Sequence, residues 1–194
     1  MIKNLLRSLS RPRVEEYRPA FKETPPRLLD CASAWKGHEL IVADLIRRFG
    51  LETRSCLEFG VEFGYSTVAF SNYFAQVTGV DTFEGDIHTT HKGDHYELTK
   101  ASLAPYSNIR LVRSDYRDFI AGNSASYDLI HVDLVHTYEV TFDCGLWSVA
   151  HSACTIFHDT ESFPEVRRAV ADLARRTGKK AYNYPPHFGL GIVV

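Results

Sequence analysis

The chain carries no surplus of either charge: 22 Lys and Arg stand against 24 Asp and Glu, a formal net charge of −2. Its basic residues form no stripe through the body, so the electrostatic grip that phosphate backbones require is missing, and nucleic acid is not expected as a partner. No run of about 18 apolar residues is present to span a bilayer, and no charged-then-apolar leader ends in a small-residue cleavage site. Cys31, Cys56, Cys144 and Cys154 lie far apart with no C-x-x-C pair among them, the usage of a reducing compartment, so a cytoplasmic location is expected. A G-x-S-x-G elbow is also missing, which disfavours a serine hydrolase.

What is present fits one ordinary domain. A chain of 194 residues, 44% hydrophobic and 24% charged, removes roughly 70% of its unfolded surface from water on folding and needs no disulfide or metal staple. Residues 1–34 read as an N-terminal extension. Within Met1–Arg18, Ile2, Leu5, Leu6 and Leu9 share one helical face, which suggests an amphipathic helix docked on the body or on a second subunit; contact with a membrane surface is the less favoured alternative. Arg11–Pro26, rich in proline and charge, reads as an arm over the surface.

From Trp35 to Val194, short β-rich runs alternate with longer helical patterns, the mark of parallel strands joined by crossover helices. Strands are expected near Ser55–Phe59, Gln76–Val80, Ile109–Val112, Tyr127–Val132 and Cys154–Phe157, with a closing pair near Lys180–Tyr184 and Gly189–Val194. Helices are expected over Gly37–Phe49, Ser66–Tyr73, Asp94–Leu103, Tyr138–Ala150 and Pro164–Arg176. The expected fold is therefore α/β, a doubly wound, mostly parallel, seven-stranded sheet with an antiparallel closing strand. Ligand sites in such sheets lie beyond the carboxyl ends of the strands.

The run Leu57-Glu58-Phe59-Gly60-Val61-Glu62-Phe63-Gly64 leaves the first of these strands and opens a helix. Its glycines permit a sharp turn and a close approach to a ligand. The three-glycine dinucleotide fingerprint is not met, since Glu62 takes its middle place, so a pyrophosphate would face a carboxylate. Glu58 and Glu62 instead favour a ligand bearing positive charge; a turn that merely packs helix on strand is the alternative. Asp81 ends the second strand about twenty residues later, where an acidic side chain can accept hydrogen bonds from both ribose hydroxyls. After the third strand, Asp115 can accept from an adenine amino group and Tyr116 can offer an apolar face, although an Asp there is equally a helix N-cap.

These segments resemble the class I S-adenosylmethionine-dependent methyltransferases, and specifically the small branch similar to macrocin O-methyltransferase. The resemblance covers about Trp35 to Val194. It rests on Glu58, Gly60, Gly64 and Ser66-Thr67, on Val80-Asp81-Thr82-Phe83-Glu84-Gly85-Asp86, on Tyr127-Asp128-Leu129-Ile130-His131-Val132-Asp133 with His136 and Tyr138, and on Phe157-His158-Asp159. It implies a Rossmann-like fold and S-adenosylmethionine bound by Glu58, Gly60, Gly64, Ser66, Asp81, Asp115 and Tyr116. By position it also implies a divalent cation, magnesium first, held by Asp133 and Asp159 with His158 as a less regular third ligand, and His136 with Asp133 in catalysis.

The chemistry that the resemblance implies is methyl transfer to the hydroxyl of a small molecule, a sugar or secondary metabolite. A poor nucleophile would be activated there by a cation and by an imidazole whose ordinary pKa lies near ~6.5. A His in the coordination shell would move preference toward manganese, iron or zinc. Leu134 and Ser152-Ala153-Cys154 depart from the glycines usual in relatives. The expected alternatives are a catalytically silent cofactor-binding or interaction module of the same fold, and a metal-dependent hydrolase or hydroxylase. His158-Asp159 could otherwise cap the helix at Pro164. The segment His88–His95, with H-x-x-H-x-x-x-H spacing, reads as a lid facing the substrate, with a solvated loop or a metal cluster as alternatives. The expected partner is the small-molecule acceptor, with neither nucleic acid nor membrane; a homo-oligomer stays open.

Overall fold

A computed structural model describes residues 14–89 and 92–194. In chain order the elements are β1 (Glu15–Glu16), a 3-10 turn at Glu39–Ile41 running into α1 (Val42–Phe49), β2 (Ser55–Phe59), α2 (Tyr65–Ser71), β3 (Gln76–Asp81) and α3 (Tyr96–Leu103). They continue through β4 (Ile109–Arg113), α4 (Tyr116–Ala121), β5 (Tyr127–Val132), α5 (Tyr138–Ala150), β6 (Ser152–His158), α6 (Pro164–Thr177), β7 (Ala181–Tyr184) and β8 (Leu190–Val193). The eight strands form one sheet in the order β1-β7-β8-β6-β5-β2-β3-β4. All neighbours are parallel except β8, which runs antiparallel to both β6 and β7. The α/β doubly wound fold with an antiparallel closing strand is as the sequence predicts.

The strand order turns at β2: the chain first proceeds outward to β3 and β4, then returns to lay β5 on the other side of β2. Connections diverge there and leave a crevice beyond the carboxyl ends of β2 and β5. Helices cover both faces. On one, the 3-10 turn, α1 and α2 pack Ile41, Leu45 and Phe70 against Cys56, Leu129 and Ile156. On the other, α5 and α6 pack Cys144, Val149, Val170 and Leu173 against Leu57, Ile130 and Phe157. In α6 the buried residues Val166, Ala169, Val170, Leu173 and Ala174 recur at helical spacing, and each buried Val or Leu contributes about 1.5–3 kcal/mol. Pro164 begins that helix and Gly178, at φ 72°, ends it.

Three differences from the sequence expectation have local causes. The arm expected over Arg11–Pro26 includes a short strand: β1 adds to the sheet parallel to β7, pairing Glu15 with Tyr182. Tyr17 beside it is buried, its hydroxyl donating to Asp44, which also accepts the Ala20 N–H at 3.0 Å. The helix suggested for Met1–Arg18 therefore does not include residues 15 and 16, and its apolar face lies outside the described residues. Second, α4 was not foreseen; Asp115 caps it by accepting the Arg117 N–H at 2.8 Å. Third, the helix expected from Asp94 starts at Tyr96, because the Asp94 carboxylate takes the Tyr96 N–H at 3.0 Å.

Candidate functional site

The crevice floor is the turn after β2. Gly60 sits at φ 89°, and a Cβ placed on it would lie 1.7 Å from the Asp133 carbonyl oxygen. The two strand ends close over each other at this point, with Gly60 N–H on the Val80 carbonyl at 3.0 Å and Asp133 N–H on the Phe59 carbonyl at 2.8 Å. Asp81 holds the turn from beneath: its Oδ2 accepts the N–H groups of Val61 and Glu62 at 2.8 and 2.9 Å, and its Oδ1 accepts that of Phe83 at 2.7 Å. A carboxylate offers about four acceptor positions. Three are taken, so Asp81 retains room for one ribose hydroxyl where the sequence suggested two.

Not all of the expected binding residues reach this crevice. Gly60, Asp81, Asp115, Tyr116 and Asp133 line it, together with Glu62. Gly64 instead starts α2 at φ 86°, where a Cβ would press on Leu103, and Ser66 is buried within that helix. Glu58 is also turned away. It is fully buried, takes a hydrogen bond from the Thr67 hydroxyl, and lies 2.9 Å from His131 Nδ1, while Trp35 Nε1 donates to His131 Nε2 at 3.1 Å. The reason is strand parity: Glu58 shares the α1 and α2 face with Cys56, directly opposite His131 in register.

That network makes a stability prediction. Glu58→Leu strands the His131 and Thr67 polar atoms in the core, at a cost of about 2–4 kcal/mol. The double variant Glu58→Leu/His131→Leu is expected to lose less than the sum of the singles, read by urea unfolding. Strict additivity would show that the two side chains do not act as a unit.

Beyond the other lip of the crevice, β5 and β6 deliver four ionisable side chains. His136 Nε2 lies 2.9 Å from Asp159 Oδ2 and 3.4 Å from Asp133 Oδ1. His158 Nδ1 lies 3.2 Å from Asp133 Oδ2 and 3.1 Å from Asp159 Oδ2. Burial opposes charge throughout this cluster, yet mutual attraction prevails. It raises His136 to about 9 and His158 to about 10, and holds both carboxyls well below the usual range. One ligand atom each from Asp133, His136 and Asp159 lie within 4.8 Å of one another. His136 is the imidazole of that trio, while His158, the third ligand implied by the resemblance, approaches the same two carboxylates from the buried side, 2% exposed. The capping alternative for His158-Asp159 is not observed, since no side chain caps α6.

Sequence reasoning missed Phe163 beside this cluster, whereas His88 belongs to the segment expected as a lid. Phe163 stacks on His136 with ring centroids 4.3 Å apart and planes 15° apart, and His88 reaches over to place its Nδ1 3.1 Å from His136 Nδ1. Within the expected lid, Thr90 and His91 lie outside the described residues. Gly85 and Asp86 before it, and Thr89 and His95 within it, line the crevice, and Arg113 pairs with Asp94 at 2.8 Å and Glu84 at 3.4 Å. Asp115 does cap α4, but it also borders the crevice beside Tyr116, whose hydroxyl donates to Asp143 at 3.0 Å.

A parallel sheet that turns at β2, a glycine bend at that turn and acids at successive strand ends define a class I methyltransferase fold. Residues 57–160 match the family described as Methyltransferase domain, and the chain belongs to that family. Solved structures with the same fold include the O-methyltransferase TomG from Streptomyces achromogenes in complex with SAM, 17% identical, covering 84% of this chain and 81% of that one at TM-score 0.60. CalS10, a SAM-bound amino pentose methyltransferase from Micromonospora echinaspora, is 13% identical over 84% of this chain and 92% of its own, with TM-score 0.60. An O-methyltransferase from Bacillus cereus in complex with SAH is 13% identical over 84% and 82%, at 0.58. No curated protein matches the sequence. Among the described residues, no helix is long and apolar enough to cross a membrane.

Proposed function

We propose that the chain transfers the methyl group of S-adenosylmethionine to a hydroxyl of a small molecule, aided by a divalent cation. The observation that carries this reading is the meeting of Asp133 and Asp159, from the adjacent strands β5 and β6, at the lip of the crevice floored by Gly60. When bound, the donor supplies a methyl on a positively charged sulfur, and the cation a Lewis acid that lowers the pKa of an alcohol.

The chain's own groups supply position and electrostatics. Gly60 lets the donor lie against backbone, Asp81 has one acceptor position left for ribose, and Asp115 and Tyr116 border the place for adenine. Asp133, Asp159 and His136 form a donor set of two oxygens and one imidazole nitrogen, which suits a dication. His158 orients both carboxylates from the buried side, as the groups behind metal ligands do. Phe163 and His88 cover the reacting end and limit access of water. Holding two reactants in line is worth on the order of 7–11 kcal/mol in favourable systems.

The imidazole decides the expected ion. An all-oxygen site would suit magnesium, whereas a mixed nitrogen and oxygen set favours manganese, iron or zinc. Titration calorimetry is expected to show manganese binding at least tenfold more tightly than magnesium, with the preference reduced in His136→Ala. Equal affinities for the two ions in the intact chain would remove His136 from the donor set. A second reading has support from the same contacts: both carboxylates stabilise a protonated His136, as they would for a general base. In that case His136→Ala leaves manganese affinity unchanged. For the donor, calorimetry with S-adenosylmethionine is decisive, since no binding at millimolar ligand to folded protein would reject the proposed function.

A further inference from the structure

Two acidic residues flank the glycine turn, and the structure separates them. Glu58 is consumed by Thr67 and His131 in the core, whereas Glu62 lines the crevice. The backbone of Glu62 is held on both sides, its N–H on Asp81 Oδ2 at 2.9 Å and its carbonyl accepting the Thr99 hydroxyl at 3.0 Å, and its φ is 50°. The side chain therefore projects from a fixed point. The crevice it borders is acidic: among the described residues Glu62, Asp81, Asp86, Asp115 and Asp133 line it, against the guanidinium of Arg117 and the imidazole of His95.

The position of Glu62 can be read against the chemistry of the donor. The Glu62 N–H sits on Asp81, at the ribose end, and Glu62 shares the crevice lining with Asp133, at the reacting end. In S-adenosylmethionine the sulfur is bonded to the ribose methylene on one side and carries the reacting methyl on the other. A donor that spans Asp81 and Asp133 must therefore place its sulfur between them. We propose that Glu62 recognises the positive charge on that sulfur, so that the chain selects the charged donor over its neutral product. This inference rests on the proposed use of S-adenosylmethionine and adds the residue that discriminates.

The balance of the reaction gives Glu62 its consequence. The S–CH3 bond breaks with its electron pair left on sulfur, an O–CH3 bond forms, and the hydroxyl proton leaves. Sulfur changes from a cation to a neutral thioether. Burial, and then the neighbouring charge of Asp133, disfavour a bare carboxylate at Glu62, and a cation beside it relieves both. After transfer that relief is gone, and the crevice becomes a poorer host for the product. The α-ammonium group is common to donor and product, so a carboxylate that merely held the ammonium would not distinguish them.

The test compares S-adenosylmethionine with S-adenosylhomocysteine by calorimetry on the intact chain and on Glu62→Gln, which preserves shape and removes charge. The expected result is about a tenfold loss of donor affinity in Glu62→Gln, with product affinity kept within about twofold, so the preference for donor shrinks. Glu62→Asp, which restores the charge on a shorter stem, should recover part of the preference. Retained product binding also shows that Glu62→Gln is folded. Parallel loss of both ligands overturns the proposal in favour of an ammonium or turn-shaping role, and unchanged binding of both overturns it outright. If the unmodified chain binds neither ligand, the use of S-adenosylmethionine itself fails, an outcome distinct from either of these.

Discussion

Gly60→Ala is expected to lower the thermal midpoint by about 8–16 °C, from a destabilisation on the order of 4 kcal/mol, and to abolish donor binding. Two costs combine. A residue with a side chain at φ 89° carries roughly 1–3 kcal/mol of backbone strain. In addition, the new methyl would sit 1.7 Å from the Asp133 carbonyl oxygen, a backbone atom with no rotamer to escape into. Relief requires the ends of β2 and β5 to separate, and that separation moves the crevice floor away from the Asp133 side chain. Gly122→Ala is the matching control: Gly122 has φ −103° and nothing within 4 Å of a Cβ, so its midpoint should barely change. A Gly60→Ala protein within about 2 °C of the parent would refute the close-approach account.

Asp133→Asn is expected to disable the cluster at the lip of the crevice. If the proposed dication binds there, its affinity should fall by at least about a hundredfold, because one of the two proposed anionic ligands becomes neutral. The metal-free chain offers a second readout by NMR. Asp133 is the leading cause, against burial, of the rise of His158 to about 10. In Asp133→Asn the His158 titration should drop toward the ordinary imidazole value near ~6.5. The sign for stability follows. Raised histidines stabilise fully below their unfolded pKa and lose that contribution as pH climbs through about 9 to 10. Depressed carboxyls stabilise above their unfolded pKa near ~3.9 and lose it as pH falls further. Asp133→Asn should therefore cost most stability between those limits and little at either extreme. A constant difference across the whole pH range would mean that packing, not charge, holds the cluster together.

Much of the architecture was legible because buried parallel strands and amphipathic helices write local patterns. Ser55–Phe59 and Tyr127–Val132 were delimited from their apolar runs alone, and α6 from Pro164, its apolar spacing and Gly178. The carboxylates at Asp133 and Asp159 were placed at strand ends for the same reason. The short β1 escaped notice because two residues carry no periodicity, and α4 because its signal was a single cap, Asp115, that also reads as a ligand contact.

Side-chain assignments were less accessible. Glu58 and Glu62 are alike on paper, four positions apart in one motif. Only the pairing of β2 with β5 shows that Glu58 faces His131, 73 residues away, and is absorbed by the core. The same limit applies to His136 and His158, since the meeting of both imidazoles with the two carboxylates depends on how the loop after β5 folds back over β6. The sequence alone determined the alternation of strands and helices, the glycine bend and the acids at the strand ends, because these follow from neighbours along the chain. The tertiary structure decided which acid enters the crevice, how much of Asp81 is left for a ligand, and that two histidines meet the carboxylates from different sides. Those outcomes depend on register and pleat between strands that touch in space but are distant in sequence.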